Sequence, residues 1–279
     1  MASPTEIPPS GRTIAVLLTC FNRREKTLNC LRRLEAQHLP AGHRLEVFLV
    51  DDGCTDCTGA AVRAEFPQVR VIQGTGSLYW AGGMRLAWAE AAKTQPDYFL
   101  LLNDDTEIVP EAVATLLSIN GAPGARVIAV AAIANPSNGR VIYGAYRNGI
   151  TGNLPLGDPK DHCHTFNANC VLVPAAVHRE IGMFHRAYTH GMADHDYGYA
   201  ASRAGINIIE SPSVLGTCPP NPKEGTWKDT SLPLARRWKL VHQPTGLLWR
   251  DWLFYCRRHL GWKWPFYFAG PYLRILTNR

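Results

Sequence analysis

Between residues 13 and 120 the chain alternates short, wholly apolar runs with longer stretches whose apolar residues recur every three or four positions. TIAVLLT reads as a fully buried strand, and REKTLNCLRRLEAQ, with Leu28, Leu31 and Leu34 at helical spacing, as the helix after it. LEVFLVD is a second strand, residues 58–66 a second helix, and VRVIQ a third strand. Residues 81–93 put Met84, Ala87, Trp88 and Ala91 on one helical face. YFLLLN is a fourth strand, and Pro110 suits the first turn of a following helix. This alternation predicts an α/β fold in which right-handed crossovers build a mostly parallel sheet flanked by helices. Ligands of such sheets collect beyond the carboxyl ends of the strands. The segments to inspect are therefore 19–23, 51–56, 74–83 and 103–106.

Beyond residue 120 the pattern changes. VIAVAAIA, RVIYGA and NCVLVP are short strands broken by Gly, Asn and Pro, which predicts a mixed sheet. A helix is expected over Asp194–Ala204 and a strand over INIIE. From Lys223 onward, eleven Lys/Arg stand against three Asp/Glu, and the segment holds six of the eight tryptophans. The residues before it carry 18 basic against 20 acidic side chains, so the net charge of +6 resides in this tail.

With 279 residues, 46% of them apolar, the chain can bury a substantial core without staples. The opening MASPTEIPPSGR lacks the apolar stretch of a secretory signal and reads as a loose leader. Val127–Ala134, the longest clean apolar run, is too short to span a bilayer, so a soluble or peripheral protein is expected. Cys54 and Cys57 form a C-x-x-C, but a zinc site needs a second pair, and the HCH at 162–164 is a poor one. Reduced thiols are the expectation.

Four polar clusters carry chemistry. Asp51-Asp52 ends the second strand and suits a base, a ribose or a metal, or else caps the next turn. Asn103-Asp104-Asp105 ends the fourth strand after a run of apolar residues. Adjacent, desolvated carboxylates repel, and a cation relieves them. Hard oxygen ligands with spare positions favour Mg2+ or Mn2+ bridging phosphate oxygens, the alternative being a helix cap. GTGSLYWAGG at 74–83 offers backbone amides to a phosphate, yet it is neither a Walker A loop nor a G-x-G-x-x-G after the first strand. Asp194-His195-Asp196 lies where a loop meets a helix. Positions i and i+2 of a helix point apart, so one aspartate faces a cleft and the other supports structure.

Together these segments resemble the family-2 glycosyltransferases of the GT-A fold, most closely their rhamnosyltransferase-like bacterial branch. TCFNR is similar to the family's T-x-x-N-R, and VDDGCTD to its V-D-D/N-G-S-T-D with Cys54 for Ser. GSLYWAGGMRLAW matches its Gly-rich segment with Ala87 at a common glycine. LLNDDTEI resembles the acidic metal motif, and GMADHDYGYAASRAG the late E-D-x-D-x-x-x-R with Ala193 for Glu. The resemblance spans Thr13 to about Ser211. It implies a GT-A catalytic domain over 13–220, with a nucleotide-sugar-binding half at 13–120 and an acceptor half at 121–220. A flexible leader at 1–12 precedes it, and a helical, basic aromatic extension at 221–279 follows.

The resemblance also implies roles. Thr19, Asp51 and Asp52 would hold the base and ribose, and Asp104 the ribose or a metal-bound water. Cys20, Asn22, Arg23, Gly82, Gly83, Arg85 and Asn103 would complete the nucleotide-sugar site. Asp105 would contact Mn2+ or Mg2+, and Asp194 would be the catalytic base. The late His that often supplies a further metal ligand has no counterpart in VLGTCPPN. The activity implied is inverting transfer from a UDP- or dTDP-sugar to a glycan or lipid-linked acceptor, in bacterial surface polysaccharide or glycolipid synthesis. Two other readings remain open on the residues: a nucleotidyltransferase, whose Gly-rich basic first loop TCFNRREK lacks, and a non-catalytic nucleotide-sugar-binding module.

The aromatic, cationic tail has the composition of a membrane-interface segment, or of an appendage that packs on the body and makes acceptor contacts or a homodimer. An enzyme in the cytoplasm, peripheral at the inner face of the membrane, is the matching expectation. No nucleic-acid recognition motif accompanies the charge.

Overall fold

The computed structural model describes residues 11–147 and 163–277. Most of the expected leader, and His162 of the HCH triplet, lie outside these residues. The elements are β1 (Arg12–Cys20), α1 (Arg24–Glu35), β2 (His43–Asp51), α2 (Thr58–Glu65), β3 (Arg70–Gln73), α3 (Tyr79–Ala92) and β4 (Tyr98–Leu102). After these come β5 (Glu107–Ile108), α4 (Ala112–Asn120), β6 (Val127–Ala134), β7 (Val141–Tyr143), β8 (Ala145–Tyr146), β9 (Thr165–Phe166) and β10 (Cys170–Pro174). Then α5 (Ala175–Ile181), α6 (Ala193–Arg203), β11 (Asn207–Thr217), α7 (Leu234–Val241), α8 (Trp249–His259) and α9 (Trp264–Leu276) complete the chain.

One sheet organises the molecule. Its strand order is β3-β2-β1-β4-β10-β6-β11-β5, with β7 paired to β6. The first four strands are mutually parallel, as the alternation over 13–120 requires. β10 enters antiparallel between β4 and β6, and β6 pairs in parallel with β11. All five residues of β4 are buried, because helices cover both faces, which explains its unbroken apolar run.

Two apolar layers lie on either side. One joins Ala15, Leu17, Phe99 and Leu101 to the α3 face of Met84, Ala87 and Trp88 and to Phe184 and Tyr197. The other packs Ile14, Val16, Leu18, Leu100 and Leu102 against Leu28, Leu31 and Leu34 of α1 and Val113 and Leu116 of α4. The alternation along β1 and β4 sends successive side chains to opposite layers. Helix α4 starts two residues after Pro110, which sits ahead of the first turn.

The cysteines are all free. Cys54 lies not with Cys57 but with Cys20, the sulfurs 3.8 Å apart.

Candidate active site

The carboxyl ends of β1, β2 and β4 open onto one cleft, and local hydrogen bonds shape its walls. Asp52 Oδ1 accepts from the Gly76 amide at 2.8 Å, and Oδ2 accepts from the amides of Leu78 and Tyr79, each at 2.9 Å. This carboxylate therefore ties the loop after β3 and caps the start of α3. It explains why α3 begins at Tyr79, two residues before the apolar periodicity. Tyr79 pays for this position with a left-handed backbone, φ 54°. Gly83 is needed because a Cβ there would lie 2.2 Å from Thr19 Oγ1, so α3 and β1 approach through a glycine.

Asp51 turns inward. Its Oδ1 accepts from the Cys54 amide at 2.8 Å, and its other oxygen fills the space where a Cβ on Gly59 would be. Asn22, with φ 51°, clamps the first loop to the second, its Oδ1 accepting from the Thr55 amide at 2.7 Å. Cys20, Asp51 and Cys54 bring three candidate ligand atoms within 4.8 Å of one another. The Asp51 carboxylate is already hydrogen-bonded there, and burial pushes the Cys20 and Cys54 thiols toward their neutral forms.

Across the cleft, Asp104 and Asp105 share one counterion. Arg23 Nη1 donates to Asp104 Oδ1 at 3.2 Å and to Asp105 Oδ2 at 2.9 Å. Thr27, one turn along α1, donates to Asp104 Oδ2 at 3.2 Å. Burial raises the Asp104 pKa to about 6, with Arg23 opposing the rise and Asp105 adding to it. Cys218, just past β11, places its sulfur 3.7 Å from Asp105 Oδ1. Its thiol is pushed up to about 12, first by burial and then by Asp105.

Two connected hollows make up the cleft. One, of about 330 Å3, is lined by Thr19, Cys20, Phe21, Asp52, Gly76 and Tyr79, with Arg23, Trp80, Asp104 and His190. The other, of about 220 Å3, shares Arg23, Trp80, Asp104 and His190, and adds Asn103, Asp105, Asn167, Asp194 and Cys218 among others. Asp194 thus faces the acidic pair through a common space. Its Oδ2 accepts from the Ala168 amide at 3.1 Å and its Oδ1 from the His195 amide at 2.9 Å. Asp196 points away, pairing with Arg258 at 2.8 Å and His259 at 2.6 Å. The two aspartates of α6 divide as their i, i+2 spacing requires.

Arg85 goes elsewhere: its Nη1 donates to the carbonyls of Tyr188 at 2.7 Å and His185 at 3.3 Å. Asp51, Asn22, Gly82, Gly83 and Arg85 line neither hollow and act on its frame. Several lining groups are not singled out as site residues by the sequence, Trp80 and His190 among them. Trp80 donates from Nε1 to Asn103 Oδ1 at 2.8 Å and from its amide to His190 Nδ1 at 3.4 Å. Asn167, Asn169 and Cys218 lie on irregular segments, and only Cys218, standing where a late ligand was sought, offered a clue.

The family profile described as "Glycosyl transferase family 2" matches residues 15–181. The chain belongs to that family. No curated protein matches it in sequence. Among solved structures, a mannosyltransferase, PcManGT, from Pyrobaculum calidifontis, in complex with GDP-Man and Mn2+, superposes with a TM-score of 0.60 at 15% identity, over 94% of this chain and 73% of that one. TarS 1-349 of S. aureus with UDP-GlcNAc gives 0.55 at 15% identity, over 87% and 66%. GalNAc-T7 with UDP, GalNAc and Mn2+ gives 0.59 at 13% identity, over 84% and 48%. At such identities the likeness is one of fold, and the fold of this family-2 chain is GT-A.

The residues present fit a divalent ion. Two adjacent carboxylates, one of them buried and short of positive charge, face a cleft with a thiol beside them. Oxygen donors suit Mg2+ and Mn2+ alike.

Proposed function

We propose that this family-2 protein is an inverting glycosyltransferase that moves a sugar from a nucleoside-diphosphate sugar, UDP- or dTDP-linked, to an acceptor hydroxyl. The observation that carries this reading is that Asp194 and the Asp104–Asp105 pair line the same 220 Å3 hollow. Its companion hollow, bounded by Thr19, Asp52 and Tyr79, has room for a base and ribose.

A divalent ion, Mn2+ or Mg2+, would be held by Asp105 with Asp104 beside it, and would supply neutralising charge for a departing diphosphate. The chain's own part is positional. Arg23, reaching both carboxylates from a half-exposed site, can turn toward a phosphate entering the cleft. Asp194 is oriented by two amide donors, which leaves its carboxylate placed to take the acceptor's proton during attack. One base and one displacement give inversion at the anomeric carbon. We extend the reading to a glycan or lipid-linked acceptor in surface polysaccharide or glycolipid assembly. The tail supports that placement.

The test is a panel of nucleotide sugars incubated with the full chain, with and without Mn2+. Release of free nucleoside diphosphate supports transfer, whereas pyrophosphate marks a nucleotidyltransferase and neither product marks a binding module. Asp194→Asn should lower transfer at least a hundredfold with donor affinity retained. Wild-type turnover in that variant, or a product of unchanged anomeric configuration, overturns the mechanism.

A further inference from the structure

Helix α9 is apolar on the side it presents to solvent. Trp262, in the turn before the helix, is 78% exposed, Phe266 71%, Leu273 56% and Leu276 57%. Phe266 and Leu273, seven residues apart, fall on one line of the helix. The opposite side holds the helix to the body. Ile275 is fully buried, Tyr272 packs its ring on Trp238, and the Phe268 carbonyl accepts from Trp252 Nε1 at 3.3 Å. A surface helix that is apolar all round needs a cover.

The charges indicate which. No acidic residue occurs after Asp251, while Arg257, Lys263 and Arg274 stand exposed beside the apolar face. Lys263 lies over the Trp262 ring at 5.8 Å and Arg257 over Trp264 at 5.9 Å. Aromatic bodies edged by cations match an anionic headgroup layer above acyl chains. A second copy meeting this face about a two-fold axis would bring the cations of one copy against those of the other, and no acidic side chain follows Asp251 to offset them. Crossing is not the alternative. Among the described residues no helix is long and apolar enough to span a membrane.

We propose that the outer face of α9, with the turn at 261–263, docks the protein on an anionic lipid bilayer, the helix lying in the interface. Docking reaches the cleft through α8. Asp251 Oδ2 accepts from the Thr189 amide at 2.6 Å, next to His190, and Arg258 and His259 bind Asp196 on α6. The same helix therefore joins the docking face to the segment bearing His190 and Asp194. The inference is independent of the glycosyl-transfer reading and is tested without any donor.

The full chain is co-sedimented with vesicles of phosphatidylcholine alone and of phosphatidylcholine mixed with phosphatidylglycerol. Binding is expected only to the mixed vesicles, weakening with added salt. Lys263→Gln and Arg274→Gln should each lower partitioning about fivefold. Phe266→Ser combined with Leu273→Ser should abolish it while leaving the circular dichroism spectrum unchanged. A readout needing no variant is tryptophan quenching of the wild-type chain by brominated acyl chains, which insertion requires. A chain that stays in the supernatant at low salt, escapes quenching, or binds equally well with Phe266 and Leu273 replaced overturns the proposal. So does sedimentation velocity showing a dimer that the same double replacement dissolves, which gives the face to a second copy.

Discussion

Arg23 sits where a metal ion would have to compete with it. Its Nη1 atom spans Asp104 Oδ1 and Asp105 Oδ2 at 3.2 and 2.9 Å, so a cation bridging those oxygens must displace the guanidinium. Arg23→Gln removes the competitor. The two charge-assisted hydrogen bonds, on a side chain 45% exposed, are worth about 1–2 kcal/mol together after solvent screening. That is about a tenfold gain in Mn2+ affinity, read as free Mn2+ by electron paramagnetic resonance with no donor present. The gain carries a pH signature. Burial already raises the Asp104 pKa to about 6, and losing Arg23 raises it further. The variant must then shed a proton to bind metal, so its advantage is small at pH 6 and full at pH 8. Donor affinity in saturating Mn2+ should move the other way and fall, because the guanidinium released by the metal is the side-chain cation lining both hollows that the diphosphate enters. Opposite signs for metal and donor cannot arise from general loosening of the loop. If Arg23→Gln weakens Mn2+ binding, or leaves it unchanged at pH 8, the competition argument fails.

Three further outcomes follow from other parts of the structure. Asp105→Ala should abolish metal-stimulated donor binding, and unchanged donor affinity by calorimetry would remove Asp105 from the site. Gly83→Ala drives a methyl to 2.2 Å from Thr19 Oγ1 and 2.8 Å from Thr19 Cβ. It should cost about 1–3 kcal/mol in a denaturant titration, and wild-type stability would show that α3 can retreat from β1. Burial raises the Glu210 pKa to about 7. A carboxyl raised in this way loses stability for the fold as pH climbs from its unfolded value through 7. Glu210→Gln keeps an acceptor for the Ala145 amide, 2.6 Å away, and should match wild type closely at pH 4, below the carboxyl's unfolded value. At pH 8 it should exceed wild type by about 1–2 kcal/mol, since residual solvent reduces the shift's full worth. A thermal melt showing no pH dependence of that difference would refute the burial cost.

What the sequence made legible is what local periodicity controls. The run VIAVAAIA is β6 to the residue, because a strand buried on both faces leaves no polar position to blur its ends. The helical face of Met84, Ala87 and Trp88 was readable for a similar reason. What escaped depends on partners far away in the chain. β5 is two residues long and exists only because Ile108 and Glu107 pair with Gly216 and Thr217. The destination of Arg85 was hidden because its acceptors, the carbonyls of His185 and Tyr188, lie about a hundred positions on. The Asp52 carboxylate shows a finer failure. A D-D-G loop at a strand end fits ligand binding and turn capping equally well, and the structure gives Asp52 three amides to hold while leaving it in the cleft wall.

The acidic pair gains its meaning from this division between frame and cleft. The Asp52 carboxylate accepts from three backbone amides and that of Asp51 from one, so both find hydrogen-bond partners within the frame. Asp104 has only a threonine hydroxyl and a share of one arginine, and its pKa is raised by the burial those two contacts fail to offset. Asp51 and Asp52 belong to a loop that is complete as built. Asp104 and Asp105 are short of positive charge, and what they lack is what a divalent ion carries. The asymmetry lies in hydrogen-bond partners rather than in residue type, which is why two D-D pairs that look alike in the sequence play different parts in the structure.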